Sequence, residues 1–122
     1  MKTIVAMAML ALPMGAAADH LDVIDIKLKE GCDLAKFVQI AHDFNSEWGA
    51  SHGYRAEVAV PLQGSDLESM RWIGRSKDAA SFGKAWDAWR TEITDSTTIA
   101  GKLAVRFGAC SINTARRGFD LY

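Results

Sequence analysis

Three histidines, two cysteines and four tryptophans are the side chains in this sequence whose chemistry reaches beyond packing. His42 lies in a run whose apolar residues Leu34, Phe37, Val38, Ala41, Phe44 and Trp48 recur at three- and four-residue spacing. On a helix it falls at the flank of that stripe, about 120° from its centre, either solvated or at the mouth of a pocket as a general base or haem ligand. His52 lies in the turn between Gly49 and Gly53, where a polar residue needs no special role, and no third ligand is evident to complete a metal site with His42. Trp48, Trp72, Trp86 and Trp89 have two readings. They fill the core, or with Phe44, Tyr54 and Met70 they wall a cavity for a flat apolar ligand that the indole N–H groups orient. Cys32 and Cys110 form an even pair with no C-x-x-C motif, which favours a structural disulfide over a reactive or metal-binding thiol.

The chain's periodicities say which elements would position these groups. From Leu21 to Lys29, Ile24, Ile26 and Leu28 alternate with Asp25, Lys27 and Lys29, the period of a strand with one buried face. Asp33 is a plausible cap for the helix that carries His42. Tyr54 to Val60 alternates again and ends at Pro61, and Met70 to Arg75 reads as a third strand. Ser76 could cap a second helix with the stripe Phe82, Ala85, Trp86, Trp89 and Ile93, and Asp78 in its first turn would favour the dipole. Leu103, Val105, Phe107 and Ala109 alternate with Ala104, Arg106 and Gly108, which predicts a fourth strand, and Thr114 to Tyr122 has no assignable pattern. The order β-α-β-β-α-β predicts an α+β domain, a four-stranded antiparallel sheet with two helices on one face. The opposite face would carry Asp25, Lys27, Lys29, Arg55, Glu57, Arg71, Arg75 and Arg106, either bare to solvent with cross-strand ion pairs or packed on a second subunit.

Composition bounds the partners. The chain has 122 residues, 49% hydrophobic and 24% charged, as expected of one globular domain. Fourteen basic against fifteen acidic residues give a net charge of −1, with no basic excess to neutralise nucleic acid. Met1 to Ala18 reads as a cleavable export signal: Lys2, an apolar run from Thr3 to Met14, then Ala16 and Ala18 as the small residues before the cut. The run is about 12 residues, short of the roughly 20 that span a bilayer, so no retained anchor is expected. The mature domain is then 19–122, in the periplasm or secreted, where the two cysteines would oxidise.

The stretch Met70-Arg71-Trp72-Ile73-Gly74-Arg75, running into Ser76-Lys77-Asp78 and then a helix led by Phe82, Trp86 and Trp89, resembles the dimeric α+β barrel group of ferredoxin-like domains. The resemblance covers roughly residues 21–113. It implies a homodimer joined through the sheet, with flat hydrophobic ligands held between helices and sheet. The group includes cofactor-independent monooxygenases, haem-using enzymes and members with no known chemistry. Haem-degrading members carry an Asn on the first strand, a Trp on the third and a His late in the second helix; Trp72 matches the Trp, and the other two are absent. Three readings follow: a non-catalytic binder with no cofactor, an oxidoreductase with His42 as base, cofactor-independent or with haem, and an interaction dimer without a pocket.

Overall fold

A computed structural model describes residues 19–122. The expected export signal lies outside the described residues. Strand β1 spans Asp19–Leu28 and helix α1 Leu34–Phe44, continued by a π-helical turn Asn45–Gly49 and a 3-10 turn Ala50–His52. Strands β2 (Arg55–Ala59) and β3 (Met70–Ser76), helices α2 (Ala79–Glu92) and α3 (Ile99–Cys110) and strand β4 (Ser111–Leu121) follow. The four strands make one antiparallel sheet in the order β2-β3-β1-β4. This is the expected ferredoxin-like α+β arrangement, with one helix more than expected.

That extra helix replaces the expected fourth strand. Residues 103, 105, 107 and 109 are apolar and fit a strand's alternation, but Ala100, Leu103, Phe107 and Cys110 also fit a helical face, and packing decides between the two. Ala100, Leu103 and Cys110 are buried and Phe107 packs against the core, at the spacing of a helical face, whereas Val105 is 63% exposed and Ala109 is exposed. Thr98 starts the helix, its hydroxyl accepting from the Gly101 amide at 2.9 Å. Arg106 therefore lies on α3 and pairs with Asp43 of α1 at 2.6 Å, instead of standing on the sheet. The true β4 is the stretch that had no assignable pattern, an edge strand almost wholly exposed.

Capping shows one match and one correction. Asp33 caps α1, accepting from the Lys36 amide at 2.8 Å. Asp78, and not Ser76, caps α2 through the Ser81 amide at 2.7 Å. Ser76 is instead the last residue of β3, buried on the side facing the helices. Gly53 closes the helical run with φ +65°, the left-handed conformation that turns the chain into β2. The Asn45 side chain then clamps that strand, donating to the Ala56 carbonyl and accepting from its amide, both at 2.8 Å.

The core lies between sheet and helices and is built around aromatic rings. Phe44 packs edge-on against Tyr54, Trp72 and Trp89 with ring centres 5.1 to 5.6 Å apart. The other sheet face is less polar than the alternation predicted. Asp25 pairs with Arg71 at 3.1 Å and with Arg117 at 2.8 Å, but Leu21, Val23, Ile73, Phe119 and Leu121 share that face by register.

Candidate ligand-binding site

Between the helices and the sheet lies a cavity of about 320 Å³. Its apolar wall comes from every layer: Ile24 and Ile26 of β1, Trp72 of β3, Phe37 and Phe44 of α1, Trp86 and Trp89 of α2, and Phe107 of α3. Of the residues expected to line a pocket, Phe44, Trp48, Tyr54, Trp72, Trp86 and Trp89 do so. Met70 is buried in the core but outside the wall. His42 is exposed on α1 and is not part of the wall either. The exposed wall residues Ile93, Asn113 and Arg116 mark the side on which the cavity meets solvent.

Trp48 is held from two sides. Its indole N–H donates to Glu92 at 2.6 Å, and His52 stacks on its ring with centres 3.9 Å apart and planes 10° from parallel. His52 Nδ1 also lies 2.8 Å from the Trp48 carbonyl, so this histidine braces the wall.

One end of the cavity is polar, and sequence reasoning missed its centre. Asp22 is only 2% exposed and faces the helices from β1. Arg116 of β4 reaches it with Nε at 2.7 Å and Nη2 at 2.6 Å, and the Tyr54 hydroxyl donates to it at 2.8 Å. Tyr54 in turn accepts from the Trp72 indole N–H at 2.7 Å. Burial, followed by the nearby Asp22 charge, pushes the Tyr54 phenol far above its ordinary value of 10.0, so it stays protonated and acts as a donor. The Arg116 guanidinium lies over Trp86, 3.9 Å from the ring centre, which fixes its plane. Gly74 makes this possible: a Cβ there would fall 1.7 Å from the Tyr54 hydroxyl oxygen. The missed signal was phase, since Asp22 continues the inward alternation of Ile24 and Ile26 by one step.

The Cα atoms of Cys32 and Cys110 are 5.1 Å apart, at disulfide distance, which ties the end of α3 to the loop after β1. His20 sits in β1 with Nδ1 2.8 Å from Asp120 and its ring stacked on Phe82. Among the described residues, no cluster of three or more His, Cys, Asp or Glu converges as for a metal ion. The wall does not fit haem: it contains no His, Cys or Met, and the Tyr54 hydroxyl is taken up by Trp72 and Asp22, so no axial ligand is offered.

The architecture places the chain among ferredoxin-like α+β domains with an aromatic cavity under the helices. No protein-family model matches it, and no curated protein does. Among solved structures it is similar to SnoaB, a cofactor-independent oxygenase from Streptomyces nogalater, at TM-score 0.56 and 14% identity over 87% of this chain and 95% of that one. A dimeric protein of unknown function with a ferredoxin-like fold from Bacteroides fragilis matches at TM-score 0.48 and 8% identity, over 84% and 96%. At such identities the likeness to SnoaB is one of fold. Among the described residues no helix is long and apolar enough to cross a membrane.

Proposed function

We propose that the mature domain is exported and holds one small, flat apolar or aromatic ligand in the cavity between sheet and helices, without catalysing a reaction on it. The observation that carries this reading is the cavity itself, about 320 Å³ walled by four tryptophans and three phenylalanines. Ligand sites of about 300 Å³ and more are mostly apolar with a few fixed polar groups, and this one has that composition. A purely structural dimer would gain by filling such a space. N-phenyl-1-naphthylamine is a suitable probe. Its fluorescence should rise saturably at one molecule per chain, and Ala85→Trp, which puts an indole into the space, should abolish the rise. Absence of any saturable rise would sink the reading. Export is tested by sequencing the N-terminus of protein released from the periplasm, expected at Asp19.

The same reading makes the domain a dimer through the open sheet face. Leu21, Val23, Ile73, Phe119 and Leu121 are apolar there, and a two-fold partner would cover them while Asp25 stays neutralised by Arg71 and Arg117. Light scattering should give twice the monomer mass, and Val23→Lys should halve it.

An oxygenase reading has one observation in its favour besides the fold shared with SnoaB. Tyr54, in the wall, donates to the buried Asp22 and so offers a path for a substrate proton. His42, exposed and off the wall, supports no such role. Oxygen uptake with hydroxylated aromatic substrates, lost in Tyr54→Phe, would favour this reading over a binder.

A further inference from the structure

The polar end of the cavity has a donor excess. Asp22, the one acid buried there among the described residues, already receives three hydrogen bonds, two from Arg116 and one from Tyr54, and nearly all its surface is covered. The Tyr54 proton is committed to Asp22, and the Ser111 hydroxyl donates to the Phe107 carbonyl at 3.1 Å. Of the other polar lining residues, Arg116 keeps Nη1, which can only donate, and Asn113 keeps its amide, which can donate or accept, neither with a hydrogen-bond partner among the described residues. Trp86 beneath the guanidinium holds the Arg116 donors in one plane, so they are preorganised and not merely nearby.

Charge narrows the ligand further. Asp22 and Arg116 sum to zero, so the pair offers no net positive charge to draw a carboxylate, and the Asp22 charge beside Arg116 repels one. A neutral oxygen acceptor takes the same donors without adding charge.

We infer that Arg116 and Asn113 select a flat ring system bearing a neutral carbonyl oxygen, over the same ring bare or carrying a carboxylate. This rests on the ligand-pocket reading above and names the ligand class of that site. Simple burial predicts a different order, because the bare ring is the most apolar of the three.

The test is equilibrium dialysis of the purified mature protein at pH 7 against naphthalene, 1-acetonaphthone and 1-naphthoate. The ketone should bind about tenfold more tightly than naphthalene, the scale of one hydrogen bond to a charged donor, and naphthoate should bind no better than naphthalene. Arg116→Ala would strand the buried Asp22 and risks unfolding, so two milder changes carry the test. Asn113→Leu should narrow the ratio of ketone to naphthalene affinity. Arg116→Lys, which keeps the charge for Asp22 but loses the planar fork, should do the same. Equal binding of ketone and naphthalene overturns the inference and leaves the pocket standing. Tightest binding of naphthoate overturns it in favour of an anion site. Binding of none of the three removes the pocket reading and the inference together.

Discussion

Arg116 grips Asp22 through two parallel hydrogen bonds, Nε to Oδ1 at 2.7 Å and Nη2 to Oδ2 at 2.6 Å. The pair joins β4 to β1 at the polar end of the cavity and closes a chain of contacts that runs from Trp72 through Tyr54 to Asp22 and ends on Trp86. Fold and candidate site therefore depend on the same side chains.

Gly74 and Tyr54 should respond together. Gly74→Ala drives a methyl into the Tyr54 ring and hydroxyl and should cost about 2–3 kcal/mol, as overpacking of a core does. Tyr54→Phe keeps the ring but leaves Asp22 and the Trp72 indole each short of a partner, for about 1–3 kcal/mol. Urea unfolding followed by tryptophan fluorescence measures both. A neutral Gly74→Ala would mean that Tyr54 does not lie against β3.

Helix α3 is tested by a pair of truncations. Leu103, 1% exposed, should lose about 2–5 kcal/mol on change to Ala. Val105→Ala should stay within about 0.5 kcal/mol, because that side chain already faces water. Equal losses at the two positions would indicate a strand with both residues on one face.

Acid should destabilise the fold through Asp78, Asp95 and Asp43. Ser81, donating to Asp78, holds that carboxyl below its ordinary 3.8; Thr97 does so for Asp95, and Arg106 for Asp43. Each folded-state value is depressed, so the stability these groups add is full above pH 3.8 and is lost as pH falls through the lower folded values. Thermal melts by circular dichroism from pH 2 to pH 7 should show that fall. Asp78→Asn, which still caps but cannot titrate, should flatten part of it.

Reduction should loosen α3. Cys32 and Cys110 are 78 residues apart, and in the chain-entropy model a cross-link over such a loop contributes about 4 kcal/mol. Dithiothreitol, or Cys32→Ala with Cys110→Ala, should lower the melting temperature by the corresponding amount. An unchanged melting temperature would mean that the pair is not bonded in solution.

Sequence periodicity carried the first two helices, the first three strands and the aromatic wall, because each has apolar residues on one side and polar residues on the other. It failed from Ile99 onward for two physical reasons. Leu103, Val105, Phe107 and Ala109 satisfy a strand's alternation, while Ala100, Leu103, Phe107 and Cys110 satisfy a helix's face, and burial decides for the second set. β4 then buries so little that it leaves almost no hydrophobic signature. Missing that strand meant missing Arg116, the base whose position marks the carboxylate at position 22 as buried and paired. His42 stood out as a histidine, yet the turn of α1 points Phe37, Ile40, Ala41 and Phe44 inward and leaves it in water.

The pairing of the outermost strand with the first one also sets an order of events. Asp22 and Arg116 lie 94 residues apart in the chain, so until β4 docks on β1 the folding domain carries an inward-facing acid with no base to meet it. Nor can the cavity close, since its wall on that side is still unmade. Docking of β4 thus completes sheet, charge pair and candidate cavity together, and a chain in which β4 has not docked would expose its tryptophans to whatever chaperone or protease is nearest.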